Sequence, residues 1–251
     1  MQRYATELTD EAFKIIEKTL QDNRHRKDDL KEIWNAIFYL LKTGCPWRYL
    51  SKEYPPWKSV YYYFSKWKRE GLIEQVHDHV MEQERKRHHK ENSPSAGIID
   101  SQSVKTSCCA LGRGYDGAKK IKGVKRHIIV DTLGLLMAVV VHTADIQDRD
   151  GAKMVLEQLR YKFPRLRIIY GDGGYAGQLI HYVASTFNWI LSIIRRGHQQ
   201  TFMILPKRWI VERTFAWLDN YRRLAKDYER LNDTSVAMIQ LAMIRTILNR
   251  Y

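Results

Sequence analysis

The stretch HIIVDTLGLLMAVVVHTAD, residues 127–145, decides the fold class. Two β-branched, apolar runs flank Asp131-Thr132-Leu133-Gly134, a turn cluster ending in glycine, and this is the pattern of an antiparallel hairpin. Upstream, GIIDSQSV at 97–104 is a short apolar run that ends in acid and hydroxyl groups. Downstream the period alternates. GAKMVLEQLRYKF (151–163) is helix-periodic, RIIYGD (167–172) reads as a buried strand, YAGQLIHYVASTF (175–187) as a helix and NWILSIIRR (188–196) as another strand. The order strand, hairpin, helix, strand, helix, strand, helix predicts a mixed sheet with helices on its faces. Ligands of such sheets collect at the carboxyl ends of strands.

Residues 8–87 read as helical. The first helix starts at Thr9 or Asp10, and the second puts Leu30, Ile33, Trp34, Ile37, Phe38 and Leu41 on one stripe before Thr43-Gly44 stops it. After CPWRYL and Pro55-Pro56, the segment WKSVYYYFSKWKRE sets Val60, Phe64 and Trp67 at helical spacing toward a core. Lys58, Tyr62, Ser65, Lys66 and Arg69 then point elsewhere. A compact helical unit with Lys, Tyr and Arg on its outer face fits a helix-turn-helix, which makes Lys58, Tyr62, Lys66 and Arg69 candidate DNA contacts. A helical cap whose aromatics simply pack is the competing reading. The polar HHKENSPSAG at 88–97 is the expected boundary, giving a helical domain at 1–87, a linker at 88–97 and a mixed α/β domain at 98–251, α+β overall.

The chain of 251 residues carries 42 Lys+Arg against 28 Asp+Glu, a net charge of +14. The excess is clustered in RKRHHK (85–90), RGYDGAKKIKGVKR (113–126) and PKRWIVERTFAWLDNYRRLAKDYER (206–230). Clustered positive charge suits a polyanion, with nucleic acid first among partners. No uninterrupted apolar stretch is long enough for a membrane span and the N-terminus lacks an export signal, so a cytoplasmic protein is expected. Cys45, Cys108 and Cys109 fit neither a disulfide framework nor a zinc site.

Asp100 follows Ile98-Ile99 and Asp172 follows Ile168-Ile169-Tyr170-Gly171, so each acid is expected where its strand leaves the core, on one edge if the strands are parallel. Either alone is as well explained as a turn residue. Gly171, Gly173 and Gly174 clear side chains from around Asp172. A third acid comes from helical geometry: Arg208, Glu212 and Asp219 fall within about 40° of one another, with Trp209, Ile210, Val211, Phe215, Trp217 and Leu218 around the rest. That distribution predicts a mostly buried helix whose polar stripe needs a partner, the competing explanation being a salt bridge from Arg208 to Glu212. Carboxylates without a His or Cys set suit Mg²⁺ or Mn²⁺, and two such ions would hold the attacking and leaving oxygens of a phosphoryl displacement.

IIDSQSVKT (98–106), the basic segment and hairpin RGYDGAKKIKGVKRHIIVDTLGLLMAVVVHTADIQDRDGA (113–152), IYGDGGYAG (169–177) and RWIVERTFAWLDNYRRLAKDYER (208–230) together resemble the DDE transposases of bacterial insertion sequences, in the family numbered five. The resemblance implies a ribonuclease-H-like catalytic core, a DDE triad of Asp100, Asp172 and Glu212 at intervals of 72 (172 − 100) and 40 (212 − 172), and two Mg²⁺ or Mn²⁺ ions per site. It implies binding of terminal inverted repeats and target DNA, strand cleavage and strand transfer, and a homo-oligomer on DNA beside the nucleoid. A nuclease that never joins strands and a catalytically idle DNA-binding regulator are the alternatives. Arg208 matches the Arg of the family's signature around the Glu. The signature's Lys position holds Asp219, leaving Arg222 or Arg223 to take that role, and its leading Tyr is replaced by Leu205. The resemblance also implies that Lys119, Lys120, Lys122, Lys125 and Arg126 line the DNA path. His127 and His142 read as structural, Asp131 as closing the hairpin turn, Asp148 or Asp150 as capping a helix near Gly151, and residues 234–251 as an apolar-faced helix on the core.

Overall fold

The computed structural model describes residues 4–20, 28–108, 110–194 and 207–251; Leu205 and Cys109 lie outside them. Four helices come first: α1 (Asp10–Leu20), α2 (Leu30–Thr43), α3 (Trp57–Arg69) and α4 (Leu72–Arg87). The ends of α2 show how locally they are encoded. The Asp29 carboxylate accepts from the Lys31 N–H, and Gly44, at φ 72°, donates its N–H back to the Leu40 carbonyl. On α3, Val60, Phe64 and Trp67 are the buried residues.

The sheet follows: β1 (Ala96–Lys105), β2 (Gly114–Asp116), β3 (Ile121–Val130), β4 (Leu136–Thr143), β5 (Ile168–Gly171) and β6 (Ile190–Ile193). β1 pairs antiparallel with β3 and parallel with β5, and β5 pairs parallel with β6, which is the mixed order of a ribonuclease-H-like sheet. Successive stretches of β3 also take β2 and β4, the short β2 being an addition to the strands legible in the sequence. The β3–β4 turn is closed as expected: the Asp131 carboxylate accepts from the Leu133 and Leu135 N–H groups, and Gly134 adopts φ 82°.

Helices α5 (Asp148–Glu157), α6 (Gln178–Phe187), α7 (Arg208–Asp219), α8 (Arg222–Ala225) and α9 (Asn232–Leu248) complete the chain. Neither Asp148 nor Asp150 caps α5, because the cap position is Gln147 and Asp148 turns inward to a lysine instead. α9 is buried around most of its circumference, including Met238, Leu241, Ile244 and Ile247. A helix so covered must have neighbours on several sides, here α4, α2 and β4. The segment between α4 and β1 carries no regular element, yet the hydrophobic core runs from the first helices into the sheet. A buried ion pair from Arg85 on α4 to Asp131 ties the two parts together at the hairpin turn.

Candidate active site

The parallel ladder brings the first two acids together. Ala96 pairs with Ile168, Gly97 with Ile169 and Ile98 with Tyr170, each at an offset of 72 (168 − 96), the interval that separates Asp100 from Asp172. Side chains alternate along a strand, so Asp100 shares a face with Ile98 and Asp172 shares one with Tyr170. Extending the register by two residues sets the carboxylates on neighbouring strands, whose axes lie about 4.8 Å apart. Asp100 is therefore not at a strand end, since β1 continues to Lys105. It sits where β1 loses its parallel neighbour, and Asp172 sits where β5 stops.

Ile98, Asp100, Tyr170, Asp172, Ile194 and Arg208 line one cleft. The Asp100 carboxyl is pushed up to about 6, first by burial and further by the charge of Asp172, against the Ser101 N–H that it accepts at 2.7 Å and the charges of Lys119 and Arg208. Asp172 accepts the Gly174 N–H at 2.8 Å and caps a 3-10 turn, Gly173–Tyr175. It is thus a turn residue and a cleft residue at once.

Behind that turn lies a chain of hydrogen bonds that the sequence did not disclose. His142 Nδ1 lies 2.9 Å from the Thr143 carbonyl, which only accepts, so the proton is on Nδ1 and Nε2 is free to accept. His127 Nδ1 then donates to His142 Nε2 at 3.4 Å, and the Tyr175 hydroxyl donates to His127 Nε2 at 2.9 Å. Burial keeps both imidazoles neutral, pushing His127 down to about 3 and His142 lower as well. Gly151 leaves room for the pair, because a Cβ there would stand 2.4 Å from His142 Nε2 and 2.6 Å from His127 Nδ1. The histidines are structural, as expected, but their structure reaches the turn that carries Asp172. Tyr175 was read as the start of a helix; α6 begins at Gln178, and only the fold brings Tyr175 to β3.

Glu212 stands apart. α7 buries Ile210, Val211, Thr214, Phe215 and Leu218, while Glu212, Asp219 and Trp209 are exposed, so the expected buried polar stripe is a solvent-facing one. Arg208 Nε meets Glu212 Oε1 at 3.1 Å, and Arg208 also lines the cleft. Among the described residues no three His, Cys, Asp or Glu side chains converge as a metal-binding group. Asp100 and Asp172, two oxygen-only ligands that repel each other, fit a hard divalent cation; Glu212 is held by Arg208 and does not complete the set.

The basic candidates divide. Lys58, Tyr62 and Arg69 are exposed on α3 and Lys66 is half-buried; Lys119, Lys120, Lys122 and Arg222 are exposed, and Lys119 Nζ donates to the Ser101 carbonyl beside Asp100 at 3.2 Å. Lys125, Arg126 and Arg223 cannot line an open DNA path, because they are buried. Lys125 faces Asp148 at 2.9 Å and donates to the Ile146 carbonyl, Arg126 donates to the Leu224 carbonyl on the other face of β3, and Arg223 pairs with Glu229 at 2.8 Å. A strand covered on both faces turns any basic run inward.

Residues 91–247 match the family described as "Transposase DDE domain". The chain belongs to this transposase family. Its helical part, residues 8–77, matches a second family described as "Putative transposase of IS4/5 family". A putative transposase for insertion sequence element IS402 of Burkholderia cepacia is 30% identical over 127 residues, covering 47% of this chain and 60% of that protein. The chain thus spans about 60% of the length of the curated relative it matches. The α+β architecture, helices followed by a ribonuclease-H-like sheet, is that of a DDE transposase domain, a family that works with divalent metals.

Proposed function

We propose that this transposase binds the terminal inverted repeats of an insertion sequence, cuts a strand at each end and joins the freed 3′-hydroxyl to target DNA. The observation that carries the reading is the register of β1 on β5, which sets Asp100 beside Asp172 in a cleft shared with Arg208. Asp100 and Asp172 would hold Mg²⁺ or Mn²⁺, two ions when the site is complete, and these would supply charge stabilisation for the attacking and leaving oxygens. A backbone phosphate entering the cleft would compete with Glu212 for the Arg208 guanidinium, and the Glu212 carboxylate so released would be available to help Asp100 and Asp172 hold the metal. No covalent enzyme intermediate is involved, since water and then a DNA hydroxyl are the nucleophiles.

The helical segment 1–87 would recognise the repeats through Lys58, Tyr62, Lys66 and Arg69, and Lys119, Lys120, Lys122 and Arg222 would neutralise phosphates beside the cleft. Two ends handled together call for a homo-oligomer on DNA, in the bacterial cytoplasm beside the nucleoid; no described helix is long and apolar enough to cross a membrane. Asp100→Asn and Glu212→Gln should each abolish divalent-dependent cleavage of repeat-end oligonucleotides. End cleavage that persists in either variant overturns the proposal. Joined products from a pre-cut end separate a transposase from a nuclease that only hydrolyses.

A further inference from the structure

A groove of about 720 Å³ opens where the helical segment meets the stretch between α8 and α9. One wall is the 3-10 turn Trp47–Tyr49 with the Tyr61 side of α3, a different face from the one carrying Tyr62 and Arg69; the other is Tyr228–Leu231. Rings that would ordinarily be covered face solvent here: Tyr49 is 78% exposed, Tyr61 46% and Tyr228 48%, with Trp47 and Trp57 between them. Apolar surface gathered around a concavity in this way marks a binding site.

The charges choose the ligand. Glu229, the acid that lines the groove, is engaged by Arg223, and Lys68 on the α3 wall is taken by Asp233, each at 2.8 Å. Arg48, over the Trp57 ring at 5.5 Å, and Arg230 have no acidic partner among the described residues, and Lys226 lies 5.6 Å from the Tyr228 centroid. Aromatic faces interleaved with unpaired cations match a ligand that alternates planar rings with negative charge. Duplex DNA hides its base faces in its own stack, whereas an unpaired strand presents them.

We propose that this groove binds unpaired nucleotides of a DNA strand, the bases stacking on Tyr49, Tyr61 and Tyr228 while Arg48 and Arg230 meet the phosphates. The groove is within reach of the carboxylates: the Asp227 N–H donates to the Lys105 carbonyl at 2.8 Å, and Lys105 is five residues, roughly 17 Å, along β1 from Asp100. The inference rests on the DNA reading above and adds a single-strand site to it.

The test is fluorescence anisotropy in EDTA with the full chain, using a labelled oligothymidine of about ten nucleotides and a duplex of the same length. Tyr49→Ala, Tyr228→Ala and Arg230→Ala alter exposed side chains, and circular dichroism checks that each still folds. Each tyrosine variant should weaken oligothymidine binding roughly tenfold and leave duplex binding unchanged. Arg230→Ala should weaken it and flatten its salt dependence. Equal losses for both DNAs, or no loss for the single strand while duplex binding persists, overturns the groove and leaves the DNA reading standing. A wild-type chain that binds neither DNA overturns both. A labelled proline-rich peptide that binds the groove when oligothymidine does not would assign it to a peptide and also overturn the proposal.

Discussion

Asp100 and Ser101 are neighbours in sequence and belong to opposite faces of the sheet, and the two faces treat charge in opposite ways. Behind the sheet, Ser101 donates to Asp148 at 2.9 Å, Lys125 meets the same carboxylate, Ser103 donates to Asp116 at 2.6 Å, and His127, His142 and Tyr175 complete one another. Every one of these groups has a partner. In front, Asp100 and Asp172 repel, the charges of Lys119 and Arg208 oppose that repulsion only in part, and Arg208 is shared with Glu212. Charges paired with their opposites hold a fold together, and a like-charged pair sets up the electrostatic field that a cation and a phosphate can use.

Four measurements test the contrast. The largest effect belongs to the front face: Asp172→Asn should lower divalent-dependent cleavage by about a thousandfold or more while leaving the unfolding midpoint unchanged or raised, because it removes a repulsion. A fall in stability matching the loss of activity would make Asp172 scaffolding. The largest stability effect belongs behind. Lys125→Met strands Asp116 and Asp148 without their cation and should cost about 3 kcal/mol in denaturant unfolding. A neutral result would show that the rear network is not what orders the sheet.

Titration separates the faces by sign. Native His127 binds its proton only near pH 3, against about 6.5 unfolded, so between these values the unfolded state holds more protons and stability rises with pH by at most about 1.4 kcal/mol per unit. Asp100 runs the other way: raised from 3.8 to about 6, its native form holds the proton longer, and stability falls as pH climbs through that window. Asp100→Asn should therefore steepen the rise in stability between pH 4 and 6; an unchanged slope would mean that Asp100 ionises normally. The smallest effect is Tyr175→Phe, which leaves His127 Nε2 without a donor and should cost about 1–2 kcal/mol, with a measurable loss of cleavage through the turn that carries Asp172. Full activity with reduced stability would confine Tyr175 to packing.

Much of this was legible beforehand, and for local reasons. The end of α2 is encoded locally by Gly44, the hairpin by Asp131 and Gly134, and the inward set Val60, Phe64 and Trp67 by helical periodicity. The interval of 72 between the acids carried the most information, because it is also the strand register. What misleads are statements about surroundings: the resemblance puts Lys125 and Arg126 on a DNA path and offers Arg223 for the signature's Lys, yet all three are buried, and the apolar company of Glu212 in the chain suggests burial where the residue is exposed.

By itself the sequence determined the order of elements, the turns and the two strand-borne acids, because these follow from periodicity and from hydrogen bonds only a few residues long. Only the tertiary structure decided which charges are spent on one another and which remain open, since burial and pairing depend on what another part of the chain brings. Lys125 meets Asp148 across 23 residues (148 − 125) and Tyr175 meets His127 across 48. No local pattern encodes such distances.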